Sequence, residues 1–225
     1  IDAAIRRAGM LRVDTLQELF MAAQTLARFR GNRSDALTVV TNGGGGGVMA
    51  ADAAAREGVT LWDLNAPMLQ QLDAVLPATW SRGNPIDIIG DAPVARYTQT
   101  LSALLAEPQA GAILFMHAPT AIVASADIAR ACAPLAATAR DRVMGCWLGD
   151  AAVAEARGIF EQADVADYAT PEDAVRAFAM LGTYRRNQAL LLEAPAARPE
   201  RGAPDLAAAR ACIASACAQG QPWLN

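Results

Sequence analysis

Five consecutive glycines, Gly43 to Gly47, follow Thr41-Asn42 and precede Val48. Without Cβ atoms, such a run lets a ligand approach the backbone closely and lets the chain take positive φ. Where a glycine run ends a strand and opens a helix, the unpaired N–H groups and the positive helix end form an anion site. Asn42, Gly43, Gly44, Gly45, Gly46 and Gly47 are therefore the candidate phosphate-binding residues. Gly45-x-Gly47-x-x-Ala50 also satisfies the dinucleotide fingerprint, with Asp63 standing 18 residues after Gly45. A five-glycine run fits almost any glycine spacing, so a nicotinamide-dependent oxidoreductase stays open beside a phosphate site on these residues alone.

Other groups that could carry chemistry are few. Arg82-Gly83-Asn84-Pro85-Ile86-Asp87 lies between the second and third expected strands, where a plain α/β unit needs only a helix. Asn-Pro forms turns readily, so structure alone accounts for part of it. Asp87 is the better functional carboxylate, and Asp91 reads as a helix N-cap. The single histidine, His117, ends the third expected strand, just before Pro119 and Thr120. Trp147-Leu148-Gly149-Asp150 ends the fourth. Strand C-termini line the ligand crevice of open α/β sheets, which makes Asn84, Pro85, Asp87, His117, Pro119, Thr120, Trp147 and Gly149 candidate site-lining residues. Nothing in the sequence pairs His117 with an acid or a nucleophile, and a structural or substrate-contacting role fits it best. No residue of this chain is assigned a catalytic role. No cysteine or histidine spacing suits a metal, and Cys132, Cys146, Cys212 and Cys217 read as buried reduced thiols.

The elements that position these residues alternate. Short β-branched runs at Ala36–Thr41, Thr60–Leu64, Ala112–Ala118, Arg142–Leu148 and Val165–Tyr168 are separated by amphipathic stretches. The stretches run over Gly46–Glu57, Pro67–Val75, Val94–Ala106, Ser125–Ala139 and Ala151–Gln162, with a long helix from Pro171 to about Leu192. That alternation predicts an α/β fold with a doubly wound parallel sheet of about five strands. Near-continuous apolar runs such as Ala112-Ile113-Leu114-Phe115-Met116 fit strands buried on both faces.

A net charge of −4 and a pI near 5.0 argue against a nucleic-acid surface. No lysine occurs, so a lysine Schiff base and a complete Walker A loop are excluded. No apolar run approaches the roughly 20 residues of a spanning helix, and Ile1 to Gly9 reads as an amphipathic helix without signal-peptide features, so cytoplasm is the default location.

An internal echo bears on domain organisation. Thr15, Glu18 and the Phe29-Arg30 ending of one expected helix align with Thr170, Asp173 and Tyr184-Arg185 of another at one offset, 155 residues. Each start carries an ordinary threonine cap. On this reading residues 1–30 are the last strand and helix of a preceding sister domain, residues 31–192 are the α/β domain, and residues 193–225 are a Pro-, Ala- and Arg-rich linker with a short helix.

In order, Arg7-Ala8-Gly9, Leu11-Arg12-Val13-Asp14-Thr15-Leu16, Val40-Thr41-Asn42-Gly43-Gly44, Asn84-Pro85-Ile86-Asp87, Pro119-Thr120-Ala121 and Cys146-Trp147-Leu148-Gly149 resemble the NDP-forming acyl-CoA synthetase family, relatives of succinyl-CoA synthetase. The resemblance implies a flavodoxin-like domain of a modular acid–thiol ligase. Such an enzyme joins a small carboxylic acid to CoA with ATP or GTP and Mg, through an acyl phosphate and a phosphohistidine. It implies that Asn42 to Gly47 open a helix whose N-terminus faces that phosphohistidine. The histidine itself is expected upstream of Ile1, with a CoA-binding domain before it, and an ATP-grasp domain is expected after Trp223-Leu224. The resemblance also admits a regulatory CoA- or acyl-CoA-binding module attached to a protein acetyltransferase. No cofactor is expected to bind this chain stably, an oligomer is compatible with the family, and Gly45 to Gly47 exceed the family's usual glycine content at this turn.

Overall fold

The computed structural model describes residues 1–193 and 204–220. Residues 1–191 form one compact unit and residues from Leu192 onward a second.

The first unit opens with two helices, α1 (Asp2–Arg7) and α2 (Leu16–Arg28). Thr15 caps α2 in a full capping box: its hydroxyl accepts from the Glu18 N–H at 3.1 Å, and the Glu18 carboxylate accepts from the Thr15 N–H. Residues 1–30 thus contain two helices and no strand. The stretch around Leu11 to Val13 stays irregular because no neighbouring strand offers it a ladder.

The sheet then builds as β1 (Ala36–Thr41), α3 (Gly44–Glu57), β2 (Thr60–Leu61), α4 (Ala66–Asp73), β3 (Ile86–Asp87), α5 (Val94–Ala106), β4 (Ala112–His117), α6 (Ser125–Ala137), β5 (Val143–Trp147), α7 (Ala154–Gln162), β6 (Ala166–Tyr168) and α8 (Pro171–Leu192). All strands are parallel, in the order β2-β1-β4-β5-β6, with β3 also pairing β1. Leaving β3 aside, this is the 2-1-3-4-5 order of flavodoxin-like sheets.

Six strands form where five were expected. β3 is the addition, and it continues β1's edge where β2 stops: Ala36 and Leu37 pair Thr60 and Leu61, while Val40 and Thr41 pair Ile86 and Asp87. The ladder ends with the Trp62 N–H bond to Leu37 O at 3.0 Å, and Asp63 and Leu64, expected to extend β2, leave it. The gap is stitched by the Asn84 side chain. Its amide nitrogen donates to Leu37 O (2.9 Å) and Trp62 O (3.0 Å), and its oxygen accepts from Val39 N–H (2.9 Å).

β1, β4 and β5 bury both faces. Ile113 and Phe115 enter one core with Leu72, Tyr97, Leu101, Ile128, Trp147 and Phe160, beneath α4 to α7. Leu114 and Met116 enter the other with Met21, Ala50, Val175, Phe178 and Leu181, beneath α2, α3 and α8. The period-2 split of one continuous apolar run between two cores is what a doubly wound parallel sheet requires.

α2 belongs to this packing. The Thr25 and Tyr168 hydroxyls lie 2.7 Å apart, and the Gln24 amide donates to Asp167 O at 3.3 Å. Thr170 caps α8 as its counterpart caps α2, accepting from Asp173 N–H at 3.1 Å. The second unit holds α9 (Leu206–Ala218), capped by Asp205. Cys212 and Cys217 on it are exposed, whereas Cys132 and Cys146 are buried, so only two thiols meet the expectation of burial. The proline-rich linker expected over 193–204 and the Trp223-Leu224 end lie outside the described residues, apart from 193 and 204.

Candidate functional site

Thr41 closes β1 and turns the chain. Its hydroxyl accepts from Gly43 N–H and lies 3.1 Å from Gly43 O, which fixes the turn before α3. Gly43 is the N-cap of α3, extended at φ −145° and ψ 117°, and has no side chain to cap with. The first intrahelical bond runs from Gly47 N–H to Gly43 O at 3.2 Å. The N–H groups of Gly44, Gly45 and Gly46 are the orphan donors of the helix start.

The glycines differ in surroundings. A Cβ on Gly45 would meet nothing within 4 Å, whereas one on Gly46 would lie 3.1 Å from the Met116 methyl and one on Gly47 3.1 Å from Pro85 Cβ. Gly46 and Gly47 are therefore needed for close packing of α3 on the strand ends, and Gly45 faces open space. One side of the helix start holds a carboxylate already. A Cβ on Gly44 would sit 3.2 Å from Asp87 Oδ2, while Asp87 Oδ1 accepts from Ile89 N–H at 2.9 Å. A negative charge there is favoured by the helix dipole.

β1 and β4 flank the point where strand order reverses, the usual ligand crevice of such sheets. Here Asn42 fills it. Its amide nitrogen donates to Ala118 O (2.9 Å) and its oxygen accepts from Ala118 N–H (2.8 Å). Asn42 is buried, so its side chain ties the two strand ends together and leaves only its neighbouring backbone to face a ligand.

The remaining candidates divide. Pro119 and Gly149 meet at the rim: Gly149 has φ +110°, and a Cβ there would stand 3.6 Å from Pro119 Cγ. Thr120 accepts from Ile122 N–H at 3.4 Å in the loop beside them. His117 and Trp147, placed at the crevice by the sequence, are fully buried. His117 Nδ1 lies 3.0 Å from the Tyr97 hydroxyl and Nε2 3.0 Å from the Ser125 hydroxyl, and burial lowers its pKa to about 4. It is a neutral structural group in an aromatic stack, 5.3 Å from the Trp147 ring. Asn84 serves the sheet as described. Asp91 pairs with Arg96 at 2.6 Å instead of capping α5, whose N-cap is Pro93. Asp63, the acid of the dinucleotide reading, is exposed two residues beyond the end of β2.

Sequence reasoning did not foresee that apolar side chains of α3 and of the loop after β4 end on the surface. Val48 and Met49 in the first turns of α3 are 60% and 45% exposed, and Ile122 is 61% exposed. Their hydrophobicity is visible in the sequence; that they end on the surface depends on the phase of α3 against the sheet.

The fold and this site define a class: a parallel α/β domain whose switch point is closed from within and whose leading helix presents a bare glycine start beside a carboxylate. The model of the Ligase-CoA domain matches residues 37–191. The chain belongs to that family. It is 32% identical over 184 residues to acetate–CoA ligase [ADP-forming] I of Archaeoglobus fulgidus, covering 82% of this chain and 26% of the relative. It is 26% identical over 180 residues to 4-hydroxybutyrate–CoA ligase [ADP-forming] of Nitrosopumilus maritimus, covering 80% and 26%. In structure it resembles the Ca. Korarchaeum cryptofilum dinucleotide forming acetyl-coenzyme A synthetase 1 in complex with phosphate and ADP. The TM-score is 0.80 at 28% identity, over 88% of this chain and 43% of that one. The chain thus spans about a quarter of the length of these curated relatives. No helix among the described residues is long and apolar enough to cross a membrane.

Proposed function

We propose that this chain is one module of an ADP-forming acid–thiol ligase, which makes an acyl-CoA from a small carboxylic acid, CoA and ATP through an acyl phosphate and a phosphohistidine. The observation that carries the reading is the start of α3: three orphan N–H groups on Gly44, Gly45 and Gly46, no capping side chain, and open space at Gly45. A phosphoryl group held on an imidazole carries a charge that these donors and the helix dipole stabilise, with no lysine required. The exposed Val48, Met49 and Ile122 give the carrier segment an apolar collar to rest against. The complete reaction further needs a CoA-binding domain and an ATP-grasp domain with Mg. In this reading residues 1–30 are the tail of a preceding domain, 31–192 the module itself, and 193–225 the connector towards the nucleotide-binding part. The family assignment favours this reading and lends nothing to a nicotinamide-dependent oxidoreductase or an acetyltransferase-associated module.

The test is phosphate labelling of the full-length natural protein with γ-labelled ATP, alongside a Gly45→Asp variant. Gly45 faces open space, so the variant folds, but its carboxylate occupies the anion's approach. Wild type is expected to carry acid-labile label that ADP discharges, and to form acyl-CoA with a short carboxylic acid. The variant is expected to lose about 10- to 100-fold in rate, roughly 1.4–2.7 kcal/mol of barrier. Equal labelling of the two proteins overturns the placement of phosphate at α3. Absence of label and of acyl-CoA in wild type overturns the ligase reading.

A further inference from the structure

The opposite end of the sheet carries a second feature that the proposed reaction does not use. Where the end of α2 meets the middle of α8, a cleft of about 450 Å³ opens. Its floor is apolar, from Leu26, Phe29 and Leu181, and its walls carry Arg30, Arg33, Arg185 and the Tyr184 ring. Among the described residues no carboxylate lines it, although the chain as a whole is acidic at −4. Arg185 is fixed in place. Its side chain is 16% exposed and donates to Asn32 O (3.0 Å), Ser34 O (2.6 Å) and Asp35 Oδ1 (2.9 Å). Arg30 and Arg33, by contrast, are exposed and make no ion pair or side-chain hydrogen bond among the described residues. Burial is the main cause of a lowered Arg185 pKa, and the nearby charges of Arg33 and Arg186 add to it while Asp35 opposes it.

Arg185 is already paired with Asp35, whereas the exposed Arg30 and Arg33 beside it have no counter-charge among the described residues, and planar guanidinium forks suit phosphate oxygens. The volume falls in the range of small-ligand sites. Phe29 and Leu181 are buried beneath the cleft, so the half-buried Tyr184 ring and Leu26 supply the apolar contact, which inorganic phosphate alone does not need. We infer that the cleft between the C-terminal end of α2 and the middle of α8 binds a phosphorylated ligand with a flat apolar group, of the nucleotide class, with Arg30 and Arg33 taking the phosphates. It lies at the N-terminal ends of the strands, the far side of the sheet from the start of α3, so it is a separate site from the one assigned to the phosphohistidine.

Isothermal titration calorimetry of the chain with ADP, inorganic pyrophosphate and adenosine tests it. ADP is expected to bind in the micromolar to low millimolar range, pyrophosphate and adenosine each at least about tenfold more weakly, and affinity is expected to fall with added salt. The exposed pair Arg30→Glu and Arg33→Glu is expected to weaken ADP at least about tenfold with the melting temperature kept, whereas Gly45→Asp leaves ADP affinity unchanged. If the double charge reversal does not fold, Arg30→Gln and Arg33→Gln singly replace it. No heat from ADP at roughly 10 mM overturns the site. So does unchanged affinity in the arginine variants, or loss of binding in Gly45→Asp, which moves the ligand to α3. Pyrophosphate binding as tightly as ADP overturns the apolar part of the assignment.

Discussion

Neighbouring glycines at the start of α3 are held there for different reasons, and substitution separates them. Gly45→Ala fills open space on a helix and is expected to stabilise the fold by about 0.5–1 kcal/mol, since glycine costs that much in a helix interior. Gly47→Ala drives a methyl to about 3.1 Å from Pro85 Cβ and 3.2 Å from Thr41 Cγ2, both on constrained backbone. It is expected to destabilise by about 1–3 kcal/mol, the usual cost of overpacking. Urea unfolding of the two variants checks both signs. Two buried ionisable groups act in opposite directions on the pH dependence. His117 has a folded pKa of about 4, below its ordinary 6.5, so the unfolded chain binds the extra proton and His117 makes stability rise from pH 4 to 6.5. Burial raises Asp167 from 3.8 to about 7, so there the folded chain holds the proton and Asp167 makes stability fall as pH rises across that window. The neighbouring Arg157 opposes the shift without cancelling it. Relative to wild type, Asp167→Asn is therefore expected to gain in stability as pH rises from about 4 to about 7, read from urea midpoints along a pH series.

Among the elements, Asn84 shows how a sequence motif can be located correctly and assigned the wrong work. The Asn-Pro-Ile-Asp stretch stood out because a simple strand–helix–strand unit has no place for it. It does lie beside the glycine turn, through Pro85 and Asp87. Asn84 itself, however, substitutes for a missing length of strand, making three hydrogen bonds that tie β1 to the end of β2, to Leu37 O, Trp62 O and Val39 N–H. Asn84→Ala is expected to cost about 3 kcal/mol or more, because it strands buried backbone groups as well as losing the bonds. β3 was illegible because Ile86 and Asp87 are two residues with no periodicity of their own, and only the vacant edge of β1 makes them a strand. The helix caps were legible, since a capping box is local chemistry. Thr15→Ala is expected to cost about 1 kcal/mol in thermal unfolding. His117 misled for the opposite reason. It ends a strand, where crevice residues sit, but the side on which it points belongs to the closed core, and side-chain direction at a strand end depends on the register of β4 against β5.

For the whole molecule, the topology could be read from alternation alone, because the central strands β1, β4 and β5 bury two faces and the helices that cover them bury one. Residues 1–191 hold both cores, so a chain ending at Glu193 is expected to melt within a few degrees of the whole chain, as followed by circular dichroism. What the alternation could not disclose is the Asn42 amide that locks the ends of β1 and β4. Most sheets of this order keep that gap for a guest. With the crevice between β1 and β4 sealed, a ligand of the α3 start is met at the outer face of the domain. On the proposed reading, the α3 face serves as a fixed quay for the carrier of the phosphoryl group.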